Sequence, residues 1–163
     1  MLTQKARYAL HAMLYLARKG EAATVAEIAE REAIPRKFLE QVLSSLGGRG
    51  LVVGRRGPQG GYRLARDPGS ISFADILRGI DGPLALAPCA TRKKFRTCDG
   101  CRDMEACEIR PVLVAAREAT ARQLEAVSLA QAAAAPDRCP DGLTSGAPEA
   151  SQVADAPPSA PSA

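Results

Sequence analysis

A chain of 163 residues, 46% of them apolar, falls within the size of a single domain and carries enough apolar surface for a real core. No N-terminal stretch reads as an export signal, because MLTQKARYALHAMLYLARKG sets charges on both sides of its apolar residues, and no apolar run is long enough to cross a bilayer; the expectation is a cytoplasmic protein with no membrane association. The net charge of +4 is uneven: residues 1–66 hold 12 Lys and Arg against 5 Asp and Glu, and the remainder 10 against 13, so the front half suits a polyanion partner, although an ordinary solvated surface can carry the same bias.

The first predicted helix runs from about Thr3 to Lys19, with Ala6, Ala9, Leu10, Met13 and Leu14 at three- and four-residue steps and Gly20 as its stop. A short second helix begins at Thr24, with Glu27 as the capping-box partner. Pro35 opens a third, whose apolar stripe is Phe38, Leu39, Val42, Leu43 and Leu46. Leu51 to Val53 and Tyr62 to Leu64 flank GRRGPQGG, which reads as a hairpin. Ser72 caps a small helix, FADILRGI, that ends before Gly82-Pro83. From Ile109 to about Ala134 the spacing predicts one long helix, with Pro111 in its first turn and a stripe of Ile109, Val112, Leu113, Ala116, Leu124, Val127 and Leu129. Such a helix would be about 35 to 40 Å long, more than so small a domain covers. A second copy of the chain can supply the missing apolar surface, and intramolecular packing is the alternative. From Pro136 onward the chain is poor in bulky apolar residues and reads as a disordered tail.

Three helices followed by a hairpin is the order of a winged helix-turn-helix. The expected fold class is therefore mainly α with a small β hairpin, a winged helix-turn-helix joined to a long C-terminal dimerisation helix. Residues 1–82 form the DNA-binding domain, 83–108 a cysteine-rich cluster-binding loop, 109–134 the dimerisation helix and 135–163 the tail. In such a module the third helix enters the major groove. Here it opens with PRKFLEQ, so Arg36, Lys37, Glu40 and Gln41 lie opposite the apolar stripe. Arg36 and Lys37 can neutralise phosphates or donate to guanine, Gln41 can pair with adenine, and Glu40 can accept from cytosine. A carboxylate repels phosphate, which makes Glu40 useful as a discriminator. An ordinary solvated helix face would carry the same residues. Arg55 and Arg56, on a turn with Gly57, Pro58, Gly60 and Gly61, put two guanidiniums where a minor groove focuses negative potential. Tyr62 behind that turn reads as a packing anchor, and His11, among apolar neighbours, as structural.

Cys89, Cys98, Cys101 and Cys107 fall in one charged segment, CATRKKFRTCDGCRDMEAC, separated by eight, two and five residues. Thiolates suit zinc or an iron-sulfur cluster, and the same cysteines can instead form a thiol switch. One close pair with two outliers is unlike the two close pairs of a zinc knuckle, which favours a cluster. Arg92, Lys93, Lys94 and Arg96 would offset its negative charge, and Cys139 in the tail is a spare thiol. A thiol oxidoreductase built on Cys98-Asp-Gly-Cys101 would need a thioredoxin-like alternation of strands and helices that this chain lacks. No candidate base or phosphate loop points to hydrolytic or phosphoryl-transfer chemistry, so no enzyme is expected.

KARYAL near the start, FLEQVLSSL in the third helix and RRGPQGGYRL in the wing resemble the IscR- and NsrR-type bacterial regulators of the Rrf2 family, over about residues 1–133. The resemblance implies a homodimer, joined by its C-terminal helix, that binds double-stranded operator DNA, usually as a repressor. It also implies a sensor of iron, redox state or nitric oxide through an iron-sulfur cluster. By the LEQ match, Glu40 inherits a role in choosing operators. Members of the family commonly use three cysteines and a non-cysteine ligand, a histidine three residues after the last cysteine or an aspartate near the partner's N-terminus. Arg110 and Arg7 stand in those places here, and neither can bind iron. Cys101 and Cys107 keep the family spacing and Cys89 stands for the first cysteine, so Cys98 is the candidate fourth ligand. The count of four thiolates fits 4Fe-4S or 2Fe-2S, with 4Fe-4S preferred.

Overall fold

The structure, a computed structural model of the chain, describes residues 2–55, 57, 60–92 and 96–135. Helix α1 spans Gln4–Lys19. Thr3 caps it by accepting from the Ala6 amide at 3.1 Å, and Gly20, at φ 72°, closes it. Its buried side chains, Ala6, Ala9, Ala12, Met13 and Leu16, follow the three- and four-residue period of one helical face. Helix α2, Val25–Arg31, starts at Thr24, whose hydroxyl accepts from the Glu27 amide at 3.2 Å. The reciprocal half of the expected capping box is not made. The Glu27 carboxylate instead accepts from Tyr15 Oη at 2.6 Å and from Lys19 Nζ, tying α2 to α1. The Lys19 hydrogen bond first, then that of Tyr15, hold the Glu27 carboxyl below its ordinary range.

Ala33 turns the chain toward α3, Arg36–Gly47, at φ 51°. That left-handed conformation costs a residue with a Cβ about 1–2 kcal/mol. It is offset where the turn closes, with the Ile34 amide donating to the Ala29 carbonyl at 2.9 Å and the Ile34 side chain entering the core. Helix α3 buries Leu39, Val42, Leu43 and Leu46. Phe38, expected in that stripe, lies at its border and stays 45% exposed, its ring meeting Tyr8 edge-on with centroids 6.0 Å apart.

Strands β1, Val52–Arg55, and β2, Gly61–Leu64, pair antiparallel with Val52 opposite Leu64 and Arg55 opposite Gly61. Ala23 bridges to Tyr62 through backbone hydrogen bonds of 2.9 and 2.7 Å, fastening the root of the wing to the segment ahead of α2. A Cβ at Gly61 would lie 2.5 Å from the Ala23 carbonyl oxygen, so only glycine permits this approach. After a single 3-10 turn at Pro68–Ser70, helix α4, Phe73–Ile80, starts with Ser72 and Asp75 capping each other.

The single helix expected from residue 109 to 134 is two helices, α5 at Arg110–Glu125 and α6 at Leu129–Ala134. The break has a clear cause. Ser128 is extended and forms a capping box with Gln131 that starts α6. The Val127 carbonyl accepts from the Phe73 amide at 3.2 Å, and the Leu129 amide donates to the Ile71 carbonyl at 2.8 Å. Leu129 is fully buried in the same core as Leu39, Leu43 and Met13. Val127 and Leu129 thus belong to the docked end of the chain and not to a free stripe. At about 1.5 Å per residue, the 16-residue α5 is about 24 Å long. None of its residues is buried. Among the described residues no helix is long and apolar enough to cross a membrane. The expected tail from Pro136 lies outside the described residues.

Replacing Leu129 with alanine removes a fully buried core side chain. It should lower the unfolding free energy by about 2–5 kcal/mol in urea titrations. A midpoint equal to that of the wild type would show that α6 is not part of the core.

Candidate functional site

The candidate DNA-facing residues of the sequence lie on α3. Arg36, Lys37, Glu40 and Gln41 are all exposed, opposite Leu39, Val42, Leu43 and Leu46. Arg36 Nε lies 3.7 Å from Glu40 Oε1, an i,i+4 pair that joins two of the candidates before any DNA arrives. Arg55 ends β1 and is exposed. Arg56, with Pro58 and Gln59, lies outside the described residues. The Gly60 amide donates to the Gly57 carbonyl at 2.8 Å, and a Cβ on Gly60 would run into the Arg55 carbonyl and the Gly57 backbone. Its identity is therefore set by the closing of the turn. The Tyr62 ring lies against Gly54, where a Cβ would come 3.2 Å from Cε1, in keeping with a packing anchor. His11 is a surface tether and not a core residue: its Nδ1 lies 3.1 Å from Glu32 Oε2, linking α1 to the end of α2.

The start of α2, the start of α3 and the wing enclose a recess of about 380 Å3 bordered by Thr24, Arg36, Arg55 and the wing glycines. Thr24 reads in the sequence only as a helix cap. Its place beside Arg36 and Arg55 comes from the Ala23–Tyr62 bridge, which no local pattern announces.

The thiol segment starts at a buried single 3-10 turn, Pro88–Ala90, that carries Cys89. Cys98 Sγ lies 3.3 Å from Cys89 Sγ. Two thiolates on one tetrahedral ion at about 2.3 Å are roughly 3.7 Å apart, so this pair has close to the spacing that a shared soft metal needs. A turn joins Cys98 to Cys101, whose amide donates to the Cys98 carbonyl at 3.0 Å. Cys101 and Cys107 are partly exposed, and no disulfide joins any of the four. The hydrogen bond with Cys98 first, then burial, then the charges of Cys98 and Cys107 push the Cys89 thiol above its ordinary pKa. Among the described residues no three or more Cys, His, Asp or Glu side chains are gathered tightly enough to clasp one ion. The four thiols therefore fit a soft metal or cluster by donor type and by the Cys89–Cys98 spacing, while full convergence is not formed.

Two arginines of α5 hold this turn. Arg110 Nε donates to the Cys89 carbonyl at 3.2 Å, and Arg117 Nη1 donates to the Ala90 carbonyl at 2.7 Å. The Arg117 side chain is only 11% exposed. Arg110 occupies the place where the resemblance implies a histidine ligand, and here it grips the backbone of the first cysteine instead. Arg7, at the other implied ligand place, donates to Gln4 Oε1 at 3.2 Å. The Arg96 amide donates to the Pro88 carbonyl at 3.3 Å. Lys93, Lys94 and Cys139 lie outside the described residues.

Residues 2–135 match the Rrf2 family, described as iron-dependent transcriptional regulators. The chain is 44% identical over 117 residues to an rrf2-like HTH-type transcriptional regulator of Rhodobacter capsulatus, covering 69% of this chain and 78% of that protein. It is 40% identical over 102 residues to the HTH-type transcriptional regulator IscR of Citrobacter koseri, covering 61% of this chain and 63% of IscR, a little under two thirds of its length. Among solved structures, CymR (YrzC), the global cysteine regulator of B. subtilis, superposes with a TM-score of 0.68 at 28% identity, over 84% of this chain and 98% of CymR. With its winged helix-turn-helix order, its mainly α fold and a match from the first turn of α1 to the end of α6, the chain belongs to the Rrf2 family of transcriptional regulators.

Proposed function

We propose that this regulator is a cytoplasmic homodimer that represses by binding double-stranded operator DNA, and that its hold on DNA depends on an iron-sulfur cluster held by Cys89, Cys98, Cys101 and Cys107. The observation that carries the reading is the 3.3 Å approach of Cys98 to Cys89 on a turn that Arg110 and Arg117 bind to α5. Cys98 supplies the sulfur that compensates for arginine at the family's histidine place. When bound, the cluster would supply a centre that oxidants, nitric oxide or iron shortage alter; four thiolates serve a 2Fe-2S or a 4Fe-4S form alike by count, and the 4Fe-4S form we prefer takes one thiolate per iron, so it needs the close Cys89–Cys98 pair to part. The protein's own part is mechanical. The two guanidiniums hold the Cys89 turn against α5, and α5 runs directly into the segment hydrogen-bonded to α4, so a change in the turn is passed to the head.

Leu86, Ile109 and Val112 are 70%, 67% and 68% exposed at the start of α5 and in the loop before it. A second copy of the chain covers them and sets the spacing of the two heads. On DNA, Lys37 and Gln41 face the bases and phosphates of the major groove, Glu40 discriminates among bases, and Arg55 and Arg56 reach the minor groove or its phosphates.

A second reading, favoured by the likeness to a cysteine regulator and by the same sulfur pair, is a thiol switch. In it a peroxide oxidises Cys89 and Cys98 to a disulfide and is itself reduced to water or an alcohol and water. A zinc staple on the four thiols is the third.

Anaerobic absorption and Mössbauer spectra, with iron and sulfide analysis, separate these readings. A brown protein containing iron and sulfide, which loses its chromophore faster as Cys98→Ser, is the expected result. A colourless protein holding zinc, or one holding no metal that forms the Cys89–Cys98 disulfide with peroxide, would contradict the cluster. A separate expectation concerns the arginine grip. Arg117→Met should raise the alkylation rate of Cys89 in cluster-free protein about fivefold, the loss of one buried hydrogen bond, with circular dichroism unchanged. Arg117→Lys should recover part of that protection, and an unchanged alkylation rate in Arg117→Met would show that the grip does not hold the turn.

A further inference from the structure

The recess between α2, α3 and the wing is bordered by two guanidinium-bearing residues, Arg36 and Arg55, by Thr24 and by the wing glycines. No acidic side chain borders it among the described residues. Two permanent cations with no acid between them suit an anion, and the anion that reaches the face shared by α3 and the wing is a DNA backbone phosphate. Arg36 already has another anion, because Glu40 lies 3.7 Å from its Nε. Both side chains are well exposed, 68% for Arg36 and 54% for Glu40, so in water the pair contributes little. Its weight grows when DNA displaces that water and lowers the local dielectric.

We propose that the recess seats one backbone phosphate of the DNA and that Arg36, shared between this phosphate and Glu40, is a specificity-setting residue that governs how Glu40 meets the bases. This rests on the reading that α3 faces DNA. A guanidinium has five N–H donors in a fixed fork and can serve two anions on different edges. With Arg36 in place, the Glu40 carboxylate approaches the major groove with its charge compensated, and its lone pairs remain to accept from a cytosine amino group. Without Arg36, the same carboxylate enters a strongly negative groove unpaired. The loss on removing Arg36 is then larger than one phosphate contact, and removing Glu40 as well relieves part of it.

The test is a double-mutant cycle on the full chain. It uses a duplex enriched by the wild-type protein from a randomised pool, together with its single base-pair variants, and reads fluorescence anisotropy over a range of salt. Arg36→Ala should weaken binding about tenfold or more and reduce the salt slope by about one. In the Glu40→Gln background the loss caused by Arg36→Ala should shrink by about fivefold. Arg36→Lys should restore the salt slope. Melting temperatures report folding separately, since both side chains are exposed. Additive effects within about twofold, or a salt slope that Arg36→Ala leaves unchanged, would overturn the proposal. If Gln41→Ala and Glu40→Gln alter base choice while the cycle is additive, the role of Arg36 alone is wrong. If neither alters binding or base choice, the reading of α3 as the DNA-facing helix fails as well.

Discussion

The return of the chain to its own head at residues 127–129 is the constraint on which the other arrangements depend. Leu129 enters the core where α6 packs on α1 and on the 3-10 turn at Pro68–Ser70, and its burial contributes about 1.5–3 kcal/mol. The two backbone hydrogen bonds that accompany it, Phe73 to Val127 and Leu129 to Ile71, each add about 0.5–1.5 kcal/mol. Helix α5 is thereby fixed at its C-terminal end, where Arg78 also pairs with Glu125. At its other end Arg110 and Arg117 bind it to the turn bearing Cys89. Thiol turn, helix and head are connected in series. A C-terminal helix that ran on freely to residue 134 would have no such connection.

The same constraint accompanies an α5 that packs on α4 and the Cys89 turn without any fully buried residue. Both ends of the helix are occupied with holding other elements, and the apolar residues near its start, Ile109 and Val112, face outward. This favours a second copy as their cover in the proposed dimer. It also makes the dimer contact and the thiol turn neighbours, since Leu86 lies three residues before Cys89.

Much of the head was legible in the sequence because its signals are local. Thr3, Gly20, Thr24, Pro35 and Ser72 each mark a boundary within a residue or so of where the structure has it, and the apolar period predicts the buried faces of α1 and α3. The sequence predicts one long C-terminal helix because its Ala-rich run keeps helical spacing through the break. The competing signal, the Ser128 to Gln131 capping box, is only four residues long, and the partners that enforce it, Ile71 and Phe73, lie far away in sequence. Glu27 departs from its predicted capping role for a related reason: its carboxylate accepts from Tyr15 and Lys19 of another helix instead of from its local amide. At the candidate site the four cysteines and the exposed face of α3 follow from spacing. The pairing of Cys89 with Cys98, the arginine grip and the recess do not, because each joins residues that only the tertiary fold brings together.

The central claim is that the condition of the thiol turn governs the grip of the head on DNA. It is tested most directly by the dissociation constant for one duplex, measured under anaerobic conditions with the same preparation before and after a chelator strips its iron. The account predicts a difference of about tenfold or more, the usual scale of coupling between two linked sites. Equal constants for the two forms would contradict it.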